Sequence, residues 1–134
     1  MRLSPKRIIL FTAILLFLTG QIFMAVYLKS VADYKKTVNE TAFGSIDISD
    51  IPDGVFVGEY DVDFIYAKVE VTVQNGLITN IDILEHKNGN GSPAEMVTDR
   101  IIEEQKIDVD AVSGATNSSI VIKKAVENAL MGEK

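Results

Sequence analysis

Cysteine is absent from this chain, and histidine occurs once, at His86. Without thiols there is no iron–sulfur cluster, thiolate zinc site, catalytic thiol or structural disulfide. The same absence removes the cysteine on which lipoprotein processing depends. His86 is the single candidate for an imidazole base, and no serine stands in a nucleophile motif that would use one; it reads as a polar residue at the end of a strand. Acidic residues are missing from everything before Asp33. Residues 33–134 hold all 19 acids with 9 of the 13 basic residues, a net charge of −10. A surface of that sign repels a phosphate backbone, which excludes nucleic acid as a partner.

The acid-free portion has a different character. Ile8 to Leu28 carries no charge and is apolar apart from Thr12, Thr19, Gly20 and Gln21. A helix needs roughly 20 such residues to cross the hydrocarbon core of a bilayer. Arg2, Lys6 and Arg7 precede the run, so the positive-inside rule places the N-terminus in the cytoplasm and the rest of the chain outside. A cleaved signal peptide is the competing reading, but the run is long for a signal core and no small-x-small site ends it. Residues 1–29 are therefore read as a cytoplasmic N-terminus and membrane anchor, with residues 8–28 in the lipid bilayer. Val31, Tyr34, Val38 and Ala42 continue at helical spacing as a stalk. Residues 30–52 are taken as stalk and linker, closed by the turn Pro52-Asp53-Gly54.

Residues 53–134 form the folded domain. Val55 to Val62 reads as a strand interrupted by Gly58. Ala67, Val69, Val71 and Val73 alternate with polar residues, the period-two pattern of a strand with one buried face. Asn75-Gly76 supplies a tight hairpin, after which Leu77, Thr79, Ile81 and Ile83 are expected to resume the buried face. Lys87-Asn88-Gly89-Asn90-Gly91 is a loop. Ser92-Pro93-Ala94-Glu95 has the form of a capping box with proline at the first helical position, followed by an apolar stripe of Ala94, Val97 and Ile101. Ile107 to Val112 alternates as a short strand or extended segment. From Ser119 onward, Ile122, Ala125, Val126 and Ala129 share one helical face, with Lys123, Lys124, Glu127 and Asn128 on the other. The fold class is α+β: an antiparallel sheet packed with two helices, preceded by a transmembrane helix.

Between the extended segment and the last helix lies Asp110-Ala111-Val112-Ser113-Gly114-Ala115-Thr116-Asn117-Ser118-Ser119. The Gly-Ala pair leaves little side-chain bulk. A helix starting about two residues after Thr116 would aim its free amides and positive dipole end at this turn, a seat for a phosphate.

The segment from about Asp53 to Leu130 resembles the FMN-binding domain family, which includes the flavin-carrying extracytoplasmic subunits of sodium-translocating NADH:quinone reductases and related electron-transport complexes. The resemblance rests on the opening Asp53-Gly54-Val55-Phe56-Val57-Gly58, the valine-rich strand, the Asn75-Gly76 hairpin and, above all, the turn. Asp110, Ser113, Gly114, Ala115, Thr116 and Ser119 fill every fixed position of the flavinylation motif Asp-x-x-(Ser/Thr)-Gly-Ala-Thr-x-x-Ser. The resemblance implies that Thr116 carries FMN through a phosphoester bond and that the protein relays electrons between a membrane donor and an external or membrane acceptor. It also implies a partner, an FAD:protein FMN transferase that uses magnesium and releases AMP. That need agrees with the residues, because a threonine hydroxyl is a poor nucleophile and no base or metal stands beside it in sequence. Asp110 would orient the turn. Gly114 and Ala115 would give access to Thr116, Ser113 is a further cofactor-binding position of the motif, and Ser118 or Ser119 hydroxyls would hold the phosphate. Phe56, Tyr60, Phe64 and Tyr66 are candidates for an apolar floor under the flavin ring. A module that binds FMN noncovalently, and a flavin-dependent reductase using His86 or a tyrosine as proton donor, are the alternatives.

Overall fold

The computed structural model describes residues 4–87 and 91–132, so the tip of the glycine loop, residues 88–90, lies outside the described residues. The chain divides into two compact units, one ending at Asp33 and the other beginning at Tyr34.

The first unit is helical. Helix α1 runs over Pro5–Glu40, and the apolar stretch within it has a mean hydropathy of 2.3 over 18 residues. By length and composition it is able to cross a membrane, and a signal sequence would have the same character. Its two threonine hydroxyls within the apolar run are locally satisfied: Thr12 Oγ1 donates to Ile9 O and Thr19 Oγ1 to Leu16 O, both at 2.9 Å. Hydroxyls that bond to their own helix present little unmet polarity to an apolar surrounding.

In the second unit three strands form an antiparallel sheet in the order β1-β2-β3, with β1 at Gly54–Asp61, β2 at Tyr66–Gln74 and β3 at Leu77–Lys87. Ala67, Val69, Val71 and Val73 are fully buried, as the alternation requires. The β2–β3 turn uses positive φ at both Asn75 (53°) and Gly76 (72°), the backbone that matches strand twist in a two-residue hairpin. The expectation for β3 needs correcting. Opposite Val73 stands Ile78, and the register shifts between Thr72 and Val73 as well as between Lys68 and Val69. The bulges take Thr79 and Leu84 out of the pairing, so Ile78, Ile81 and, in part, Ile83 face the core while Leu77 and Thr79 are exposed. A single inserted residue shifts which side chains lie on a face.

The helices follow. A 3₁₀ turn at Ser92–Met96 leads into α2, Val97–Glu104. The expected capping box does not form: Gly91 occupies the cap position and no side chain bonds there. The stripe of Ala94, Val97 and Ile101 is nonetheless fully buried. Gln105 ends α2 at φ 51° and uses its amide on Ile78, accepting from its N–H and donating to its carbonyl, each at 2.8 Å. Residues 107–112 do not join the sheet; Val109 N turns back to Ile107 O at 2.8 Å, and the expected alternation holds for buried Ile107 and Val109 but breaks at half-buried Ala111 before buried Val112.

Helix α3, Thr116–Met131, is the centre of the unit. It packs over β1 and β2, with α2 beside it over β3. Gly58, which looked like a weakness in β1, is the contact point: a Cβ there would lie 2.2 Å from Ala129 N and 2.4 Å from Ala125 O. The expected polar face of α3 is also buried, with Glu127 at 0%, Lys123 at 4% and Asn128 at 7% exposure. Their polar atoms find partners inside the unit except Asn128 Oδ1, which is buried without one. Lys123 Nζ donates to Asp108 Oδ1 (2.9 Å) and Val109 O (2.8 Å) and lies 4.5 Å above the Phe43 ring. Glu127 accepts from Gly44 N and from Lys124 Nζ. Asn128 Nδ2 donates to Glu59 O at 2.9 Å.

Those partners show what the stretch expected as stalk and linker does. Val38 and Ile48 are core residues, and Tyr34, Phe43, Ile46 and Ile51 pack against the same core. A short 3₁₀ turn at Ile48–Asp50 is capped by Asp47, whose carboxylate accepts from Ser49 Oγ (2.6 Å) and Ser49 N (3.0 Å). These two bonds hold the Asp47 carboxyl below its ordinary range.

Candidate functional site

The turn before α3 is held open on one side and closed on the other. Asp110, Ser113, Gly114 and Thr116 are exposed, whereas Val112, Ala115, Ser118 and Ser119 are buried. Thr116 opens the helix itself, about two residues earlier than the sequence pattern indicates, with Ala115 as the cap residue and no side-chain cap bond. Its hydroxyl therefore rides on a regular helical backbone.

Ser119 shapes the turn. Its Oγ accepts from Val112 N at 3.0 Å and donates to Ala115 O at 2.9 Å, and Ala115 N closes back on Val112 O at 3.0 Å. Ser119 is fully buried, so its hydroxyl is spent on the fold rather than offered to a phosphate. Ser118 is buried as well, at 3% exposure. Gly114 has a φ of +80° with open space where a side chain would stand. Its requirement is backbone conformation, not clearance.

The first α3 backbone bond runs from Ser119 N to Ala115 O, so the amides of Thr116, Asn117 and Ser118 precede it and lie in the orphan positions of a helix start. No acidic residue occupies the first turn of α3. The group that suits this end is an anion.

Residues 65–131 match the model of the FMN-binding domain. The chain belongs to the FMN-binding domain family. Membership identifies FMN as the cofactor that this fold binds, and the matched span contains the whole turn and α3. No curated protein and no solved structure matches the chain. The residues fit an FMN phosphate: an exposed hydroxyl and three leading amides converge at a helix start that carries no opposing acid.

A family flavin also needs surroundings for its ring, and here the structure separates the expected residues. Phe56 and Tyr60 share the sheet face of Gly58 and pack on the core, with Tyr60 Oη 3.2 Å from Thr41 Oγ1. Phe64 lies in the β1–β2 loop with its ring centroid 5.0 Å from that of Tyr34. Tyr66 alternates to the opposite face, where it donates to Glu59 Oε2 at 2.8 Å. That bond, with desolvation and the charges of Glu59, Glu85 and Asp61, pushes the phenol up to about 12. The four aromatics thus do not form one platform. His86 lies in β3 with Nδ1 3.0 Å from Glu95 Oε1, a link from the sheet to the 3₁₀ turn before α2. Two shallow hollows, one over Asp53, Val55, Thr72 and Asn75 and the other over Ser45, Asp47, Gly76 and Gln105, include no residue of 110–119.

Arg100 escaped the sequence reading. From α2 its Nη1 donates to the carbonyls of Asp110 (2.9 Å) and Ala111 (3.1 Å). An arginine ten residues upstream on another element leaves no periodic signal. The one available clue is an unpaired extended segment whose carbonyls must find donors.

Proposed function

We propose that Thr116 carries FMN through a phosphoester bond and that the unit beginning at Tyr34 works as an electron relay outside a membrane, held there by α1. The observation that carries this reading is the exposed Thr116 hydroxyl at the head of a buried helix, in a motif with every fixed residue present. A separate FAD:protein FMN transferase performs the attachment with magnesium. Thr116 Oγ bonds to the phosphorus that bears the riboflavin in FAD, the pyrophosphate P–O bond breaks, and AMP leaves. The hydroxyl proton passes to a base of the transferase or to water. Among the described residues no carboxylate or imidazole bonds to Thr116, which agrees with an external catalyst.

FMN supplies one- and two-electron chemistry when bound. The protein's share is to hold the phosphate at the amides of Thr116 to Ser118 and to keep the attachment point on a rigid helix, so that donor and acceptor meet the cofactor at a fixed place. Asp110 and Ser113, exposed beside Thr116 in the turn, are the contacts offered to the transferase.

Coexpression with the transferase, followed by intact-protein mass measurement, tests the reading. The expected result is one FMN unit that survives acid precipitation and is absent from Thr116→Val. Flavin that leaves on denaturation identifies a noncovalent module, and flavin retained in Thr116→Val removes Thr116 as the site. Membrane fractionation and protease treatment of sealed cells test the anchor: the folded unit should sediment with membranes and be cut from outside.

A further inference from the structure

Residues 107–112 deliver the turn to α3 without strand pairing, and side chains take the place of a ladder. Lys123 donates to the carbonyl of Val109, Arg100 to those of Asp110 and Ala111, and Ser119 accepts from the amide of Val112. Four consecutive residues are thus held by three side chains. Lys123 and Ser119 belong to α3 and move with Thr116. Ile107, Val109 and Val112 seat the arm in the core, and among the described residues Arg100 is the side chain that bonds the Asp110-Ala111 stretch between them to α2.

We infer that Arg100 is a positioning residue for the loading of Thr116: it fixes Asp110 in place relative to the Thr116 hydroxyl, so that the transferase meets both at once. This rests on the proposed covalent loading. Without Arg100 the carbonyls of Asp110 and Ala111 turn to water. The Asp110-Ala111 stretch between buried Val109 and Val112 then has to be ordered during each encounter, a cost that appears in binding. Thr116 itself keeps its place on α3. The loss therefore falls on the KM for this protein as a substrate, with kcat little changed.

The test uses the full chain in detergent with purified transferase, magnesium and FAD, and follows covalent flavin by in-gel fluorescence as the protein concentration varies. Arg100→Ala is expected to raise KM about tenfold, the scale of two charge-assisted hydrogen bonds partly replaced by water. Arg100→Lys, which reaches one carbonyl, recovers most of the loss. Val71→Ala, in the buried face of β2, lowers the melting temperature without moving KM, which separates positioning from general destabilisation. A wild-type KM in Arg100→Ala, or an equal rise in Val71→Ala, overturns the inference and leaves the loading of Thr116 intact. Should Arg100→Ala not fold, a KM for Arg100→Gln no higher than that for Arg100→Lys overturns it in the same way. If the wild-type chain takes up no flavin, the loading and this inference fall together.

Discussion

At the residue scale, the motif divides into positions that present and positions that hold. Ser119→Ala removes the acceptor for Val112 N in a buried setting and should cost about 1–3 kcal/mol. For a unit of this size each kcal/mol lowers Tm by about 4–8 °C, which differential scanning calorimetry resolves. Gly114→Ala forces a side chain into the left-handed region at φ +80° and should cost about 1 kcal/mol while leaving Thr116 exposed. Tyr66 gives a spectroscopic check of the sheet's outer face. A raised value means that the protonated phenol is favoured by folding, so its stabilisation is complete below the ordinary value of 10.0 and is lost as pH rises through about 12. Absorbance at the tyrosinate band should show one of the four tyrosines titrating near 12, returning toward 10.0 in Glu59→Gln.

At the element scale, the contact between β1 and α3 is closest at Gly58. Any larger residue there meets α3 backbone, and Gly58→Val is expected to destabilise by at least about 1–3 kcal/mol, the usual penalty of overpacking. Urea denaturation of the folded unit measures it. The same elements show what the sequence discloses. Period two gave β2 and the hairpin outright, because one buried face leaves an unambiguous pattern in Ala67, Val69, Val71 and Val73. Period two failed in β3, where two bulges reassign the faces without any change in composition. Period 3.6 located α3 but not the fate of Lys123, Glu127 and Asn128. Those residues are polar at positions a surface helix would leave in water, and only the placement of residues 42–44 and 108–109 shows them enclosed. The turn was legible as a motif; its support from Arg100 was not, since a side chain reaching two carbonyls in another element leaves no spacing to read.

At the scale of the molecule, the folded unit is larger than the stretch that resembles or matches the family. Val38 and Ile48 lie outside the matched residues 65–131 yet belong to the core, and Phe43 and Ile46, also outside, pack against it. A chain starting at Tyr34 should unfold in one cooperative transition, while one starting at Asp53 forfeits those four side chains and the bonds of Gly44 and Ala42 to α3. Calorimetry on the two lengths checks this, and a sharp, equal transition in the shorter chain would place the earlier residues outside the core. The buried hydroxyl of Ser119 has a consequence for portability. A ten-residue string copied to the head of an unrelated helix carries Thr116, Val112 and Ser119 along but leaves the bond between the last two facing solvent, with no interior to seal it. A useful tag for flavin loading has to carry a face of hydrophobic support as well as a sequence, and its smallest form is a helix with a core beneath it.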